Sequence, residues 1–148
     1  MTASPARHKL SHMGVEITIL AGAATASDYT LIEYVAPPLF PGPQLHWHLR
    51  STEWFYIMEG EITFEVDGKQ LTAAAAGFVE VPARTPHRWW NAQPQRARML
   101  IGFTQPSLDG YFEELFDYAK KLSAWPPTNP IFITALAERY DTFTGPVR

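Results

Sequence analysis

The chain has 148 residues, 46% hydrophobic and 18% charged, with 13 Pro, 9 Gly, 5 His and no Cys, which excludes collagenous, coiled-coil and disordered classes. One domain of this length buries roughly two-thirds of its unfolded surface, and without cysteine it has no disulfide, iron–sulfur site or thiol nucleophile, so metal ligands must be His or carboxylate. A net charge of −3 with no long Lys/Arg run argues against a nucleic-acid partner.

Residues 1–13 read as a leader without order, in which His8 and His12 are exposed and have no role. It lacks the apolar core of a signal peptide, and no stretch reaches the ~18 apolar residues of a membrane span, so no membrane association and a cytoplasmic location are expected. Residues 14–20 and 29–35 then alternate apolar with polar at the period of half-buried strands. Pro37-Pro38 and Pro41-Gly42-Pro43 force irregular backbone. Further strands are expected at 44–49, 54–58 and 61–66, and Asp67-Gly68 is a hairpin signal leading into 69–72. Strands at 77–81, 87–90 and 96–103 complete the set.

After Pro106 the period changes. Leu108, Phe112, Leu115, Phe116, Ala119 and Leu122 share one helical stripe, with Ser107 or Asp109 as cap and Pro126-Pro127 as terminator. A shorter helix is expected from Asn129 as N-cap and Pro130 as first helical residue. About ten short strands followed by two helices predict an all-β sandwich or small barrel with the helices packed on its outer face.

His46 and His48, two apart on a strand, project from one face and can reach one ion. Glu53 has the wrong parity for a continuous strand, so the chain should turn at residues 50–52 and bring Glu53 back toward the histidines. His87 opens a later strand. Three imidazoles and one carboxylate suit a divalent transition metal.

The spacing Gly42-x3-His46-x-His48-x4-Glu53-x6-Gly60 resembles the first conserved motif of the cupin superfamily, with Gly42 two positions closer to the histidines than usual. Pro82-x4-His87-x3-Asn91 resembles the second, with Ala76 and Arg84 where glycines are usual. The resemblance covers residues 14–104. It implies an antiparallel double-stranded β-helix, the jelly-roll barrel of cupins, with residues 105–148 as a C-terminal helical extension. It also implies one divalent transition metal per chain (Fe, Mn, Ni, Co, Cu or Zn), held by His46, His48, Glu53 and His87. A homodimer is expected from the same likeness.

Alternation places Phe55 and Ile57 on the Glu53 face and Trp89 and Asn91 on the His87 face, as the walls of an apolar pocket for a flat aromatic molecule. Trp47, Trp54, Tyr56 and Trp90 point the other way. The chain is similar to flavonol (quercetin) 2,4-dioxygenase-like cupins and to small cupins that act as cyclases or isomerases in aromatic polyketide pathways. The expected function is a metal-dependent dioxygenase acting on a small aromatic or enolisable substrate, with Glu53 as proton acceptor. A metal-dependent cyclase or isomerase of a secondary-metabolite pathway is the alternative among enzymes. A non-catalytic cupin that binds metal or a small molecule is the alternative of another class.

Overall fold

A computed structural model describes residues 8–148; the first seven residues of the expected leader lie outside the described residues. Eleven strands and two α-helices are named among them. Strands β1 (His8–His12), β2 (Val15–Ala21), β3 (Thr30–Ala36), β5 (Glu53–Glu59), β8 (Phe78–Val81) and β10 (Ala97–Phe103) make one antiparallel sheet, in the order β1-β2-β3-β10-β5-β8. In β2 and β3 every second residue is buried, the pattern the alternation predicts for strands with one face on a core.

The second sheet contains β6 (Glu61–Val66), β7 (Lys69–Ala74) and β9 (His87–Trp90), in the order β7-β6-β9. Asp67 and Gly68 both adopt positive φ (49° and 75°), as a two-residue hairpin between β6 and β7 requires. An isolated bridge between His46 and His87 carries the sheet on to β4 (Trp47–His48), which pairs with the short β11 (Thr142–Phe143). The two sheets pack face to face. Phe55 of β5 lies edge-on to Phe64 of β6 at 4.9 Å, and Tyr34 of β3 meets Trp89 of β9 at 4.9 Å. This is the antiparallel jelly roll that the resemblance implies.

Three expectations are corrected. Residues 8–12 are not a free leader but β1, paired in full register with β2; Leu10 is buried beneath it, while His8 is exposed and His12 partly so. One apolar residue in five gave too little periodicity to reveal this strand. Helix α1 (Leu108–Lys120) does not sit on the outer face of the barrel. Its Leu108 and Phe116 belong to the same buried cluster as Ile17, Ile19 and Phe103, so the helix closes the interior core. Helix α2 (Ile131–Arg139) starts near the predicted place, with the Asn129 side chain accepting the Ile131 N–H, but the chain continues beyond it into β11. Neither helix is long and apolar enough to cross a membrane.

Candidate metal centre

Four side chains from three separate segments meet inside the barrel. His46 and His87 are tied by reciprocal backbone hydrogen bonds of 3.0 and 2.8 Å, which fixes the two rings side by side. His48 follows in β4, on the same face as His46. The chain then turns through residues 49–52 and re-enters the larger sheet at Glu53, opposite Phe103 of β10. Glu53 Oε2 lies 2.7 Å from His87 Nε2, 2.8 Å from His48 Nε2 and 4.0 Å from His46 Nε2. One ligand-type atom from each of the four residues falls within 4.8 Å of the others. His46 keeps the only appreciable opening to solvent, its side chain 11% exposed against 4% or less for the other three.

The opposite nitrogen of every ring is already committed. Nδ1 of His46 donates to Gln44 O (2.7 Å), that of His48 to Asp141 O (3.0 Å) and that of His87 to Thr85 O (2.8 Å). A carbonyl only accepts, so Nδ1 carries the hydrogen and Nε2 of each neutral ring is a lone pair. Three lone pairs and a carboxylate therefore converge on one buried point. Such an arrangement is favourable only around positive charge, and holding the ring through Nδ1 is how proteins orient metal-ligating histidines. The donor set thus fits a divalent transition metal.

Without a metal, protons must supply that charge. Burial alone would raise the Glu53 carboxyl, but hydrogen bonds from His48 and His87 outweigh it and hold the group well below the usual carboxylate range. Burial likewise opposes a charge on His48, yet the Glu53 hydrogen bond prevails and raises its pKa. His46 behaves oppositely: burial, then the neighbouring His87, push it down to about 3. Its folded value lies below its unfolded one, so its contribution to stability is complete above about 6.5 and is lost as pH falls toward about 3. His48 has the opposite sign. In chelator-treated protein the thermal stability of the wild type should therefore fall between these pH values more steeply than that of His46→Asn. The difference should amount to a few kcal/mol. Parallel melting curves for the two proteins would contradict the buried neutral state of His46.

The expected pocket residues separate into three groups. Phe55 is fully buried, with its ring 6.5 Å from His87. Trp89, also buried, follows His87 by two residues and packs on Tyr34 and Phe40. Ile57 and Asn91 do not wall the same space. Ile57 lies about 13 Å along β5 from Glu53, at ~3.3 Å per residue, and pairs with Met99 in the core. The Asn91 amide donates to Pro37 O and Gln95 O and accepts from Gln93 N–H, so its polar groups are spent on loop backbone. Sequence reasoning missed Phe103, which lies edge-on to His48 at 5.7 Å, and Asp141. Phe103 could have been found from the alternation in β10, which puts it on the inward face.

The unusual loop residues conserve conformation without glycine. Arg84 and Ala76 both adopt positive φ (64° and 68°), the left-handed region that glycine would occupy at no cost. The Arg84 N–H donates to His48 O at 2.6 Å, which ties the loop before His87 to the strand bearing His48. At Gly42 glycine is obligatory, since φ is +68° and a Cβ would stand 1.8 Å from Trp89 O.

Residues 35–103 match the Cupin domain family. The match covers just under half of the chain. All four metal-ligand candidates lie within it. The chain is 33% identical over 90 residues to "Probable oxidoreductase virH" of Hypocrea virens, covering 56% of this chain and 41% of that protein. It is 32% identical over 71 residues to quercetin 2,3-dioxygenase of Bacillus subtilis, covering 48% of this chain and 20% of that protein. It therefore spans less than half the length of either relative. Among solved structures, the polyketide cyclase RemF of Streptomyces resistomycificus superposes with a TM-score of 0.54 at 18% identity, over 62% of this chain and 65% of that one. At that identity the likeness supports the cupin fold alone.

Proposed function

We propose that this cupin is a metal-dependent enzyme acting on a small aromatic or enolisable substrate, and specifically a dioxygenase. The observation that carries the reading is the convergence of three Nε2 lone pairs on the buried Glu53 carboxylate, at 2.7, 2.8 and 4.0 Å. His46, His48, Glu53 and His87 would hold the ion. When bound, a redox-capable divalent metal supplies Lewis acidity and access to dioxygen chemistry. The similarity to an oxidoreductase and to quercetin 2,3-dioxygenase supports the oxygenase choice.

The chain's own residues supply the rest. Phe55 and Phe103 flank the imidazoles of His87 and His48. With Trp89 they are the proposed aromatic wall for a conjugated ring, all three of them buried. Glu53 stays ionised through neutral pH, so it supplies fixed negative charge. As a proton acceptor from a substrate hydroxyl, Oε2 works only transiently, because its affinity for the proton is low. Substrate enters on the His46 side, where Leu45 is exposed. A homodimer belongs to the same proposal, since the outer face of the larger sheet leaves Tyr56 and Phe78 40% and 58% exposed.

The deciding experiment is turnover of a flavonol substrate by metal-loaded protein in an oxygen electrode. The dioxygenase reading expects dioxygen uptake stoichiometric with product and none under argon. Turnover under argon would assign the cyclase or isomerase alternative, and binding without turnover the non-catalytic one.

A further inference from the structure

We infer that Asp141, which lies beyond the cupin domain in the segment following α2, is a positioning residue for the metal centre. It orients His48 and fixes the loop that delivers Glu53. This inference rests on the metal-centre reading above.

Asp141 acts through two groups at once. Its main-chain carbonyl accepts the Nδ1–H of His48 at 3.0 Å. Its carboxylate accepts backbone N–H groups from three consecutive residues: Leu49 (3.1 Å), Arg50 (3.1 Å to each oxygen) and Ser51 (2.9 Å). Those residues are the turn between His48 and Glu53. Successive backbone N–H groups aimed at one point form an anion-binding concavity, and here the anion is a side chain some ninety residues away in sequence. A turn with its N–H groups satisfied in this way holds both flanking ligands at a fixed spacing.

The surrounding segment is built to keep Asp141 in place. Asp141 has φ 58°, a left-handed conformation that Asp tolerates better than most residues. Immediately after it, Thr142 pairs with His48 and Phe143 with Trp47 across β4 and β11. The Phe143 and Trp47 rings stack at 4.9 Å, and Thr142 Oγ1 comes within 3.3 Å of His48 Nδ1. Thus the C-terminal extension does more than cover the core, because it supplies the outer partner of a metal-ligating ring. Loss of such a partner typically lowers metal affinity 10–100-fold.

The test compares zinc affinity by chelator competition, and the visible absorption bands of the cobalt-loaded protein, in four folded proteins. They are the wild type, Asp141→Gly, Asp141→Asn and Ile19→Val, each measured below its thermal transition. Glycine keeps the backbone conformation and deletes the carboxylate, whereas asparagine keeps one acceptor oxygen. Ile19→Val weakens the core in β2 and touches neither His48 nor the turn. The main-chain carbonyl on His48 survives in every variant, so the expected result for loss of the carboxylate alone is a zinc Kd raised about tenfold in Asp141→Gly, the low end of the range for an outer partner, with altered cobalt bands, and a smaller rise in Asp141→Asn. Ile19→Val should melt lower with unchanged Kd and bands. An Asp141→Gly protein with wild-type Kd and bands would overturn the inference, however far its melting temperature falls. If that variant fails to fold, a wild-type Kd in Asp141→Asn overturns it equally. Wild-type protein that binds neither ion would instead overturn the metal-centre reading on which the inference stands.

Discussion

His87→Ala should empty the metal centre. The wild-type ring is 1% exposed, its Nδ1 is held by Thr85 O, and its Nε2 sits 2.7 Å from Glu53, so truncation removes a ligand atom that is already positioned. Because altering an outer partner of a ligand already costs 10–100-fold in affinity, removal of the ligand itself should exceed about a hundred-fold. Elemental analysis of the dialysed variant should therefore find almost no metal, and activity should vanish with it. The variant also leaves Glu53 with one buried partner fewer, and a buried charge that loses a partner typically costs about 3–5 kcal/mol. A folded His87→Ala protein carrying wild-type metal content would remove His87 from the ligand set.

Phe55→Ala should separate the aromatic wall from the ion. Phe55 is fully buried between Phe64 and His87 and offers no ligand atom. Truncating a buried Phe typically costs about 3–5 kcal/mol. At roughly 2–4 °C per kcal/mol for a chain of this size, the melting temperature should fall by about 6–20 °C. Metal stoichiometry should stay at the wild-type level while binding of an aromatic ligand weakens. Loss of metal in a folded Phe55→Ala protein would show that the ring supports the imidazoles and that wall and ion are one unit.

The parts legible in the sequence are those governed by local period. Strict alternation in β5 places Glu53, Phe55 and Ile57 on one buried face, and the odd spacing from His48 to Glu53 requires the turn that the structure has. The four candidate ligands are legible from residue type, strand parity and the resemblance of their spacing to the cupin motifs, and the structure brings one ligand-type atom of each within 4.8 Å of the others. What escaped is non-local. Asp141 is a single polar residue after a helix, and its role depends on a pairing with β4 that no periodicity encodes. Asn91 and Ile57 share the correct parity with the site, but parity fixes a face and not a distance. Along β5 the core simply continues past the reach of the ion. The surface that receives helix α1 is illegible for a related reason, because an amphipathic stripe reveals that a helix packs and not against what.

The central claim is that His46, His48, Glu53 and His87 form a resident metal site. Elemental analysis of the full chain, expressed without added metal and purified without a polyhistidine tag or chelator, tests it most directly. The expected result is a divalent transition metal near one equivalent per chain, lost in His46→Ala and His87→Ala. A natively folded wild type that contains no metal and takes up none from stoichiometric iron, manganese, nickel, cobalt, copper or zinc would contradict it.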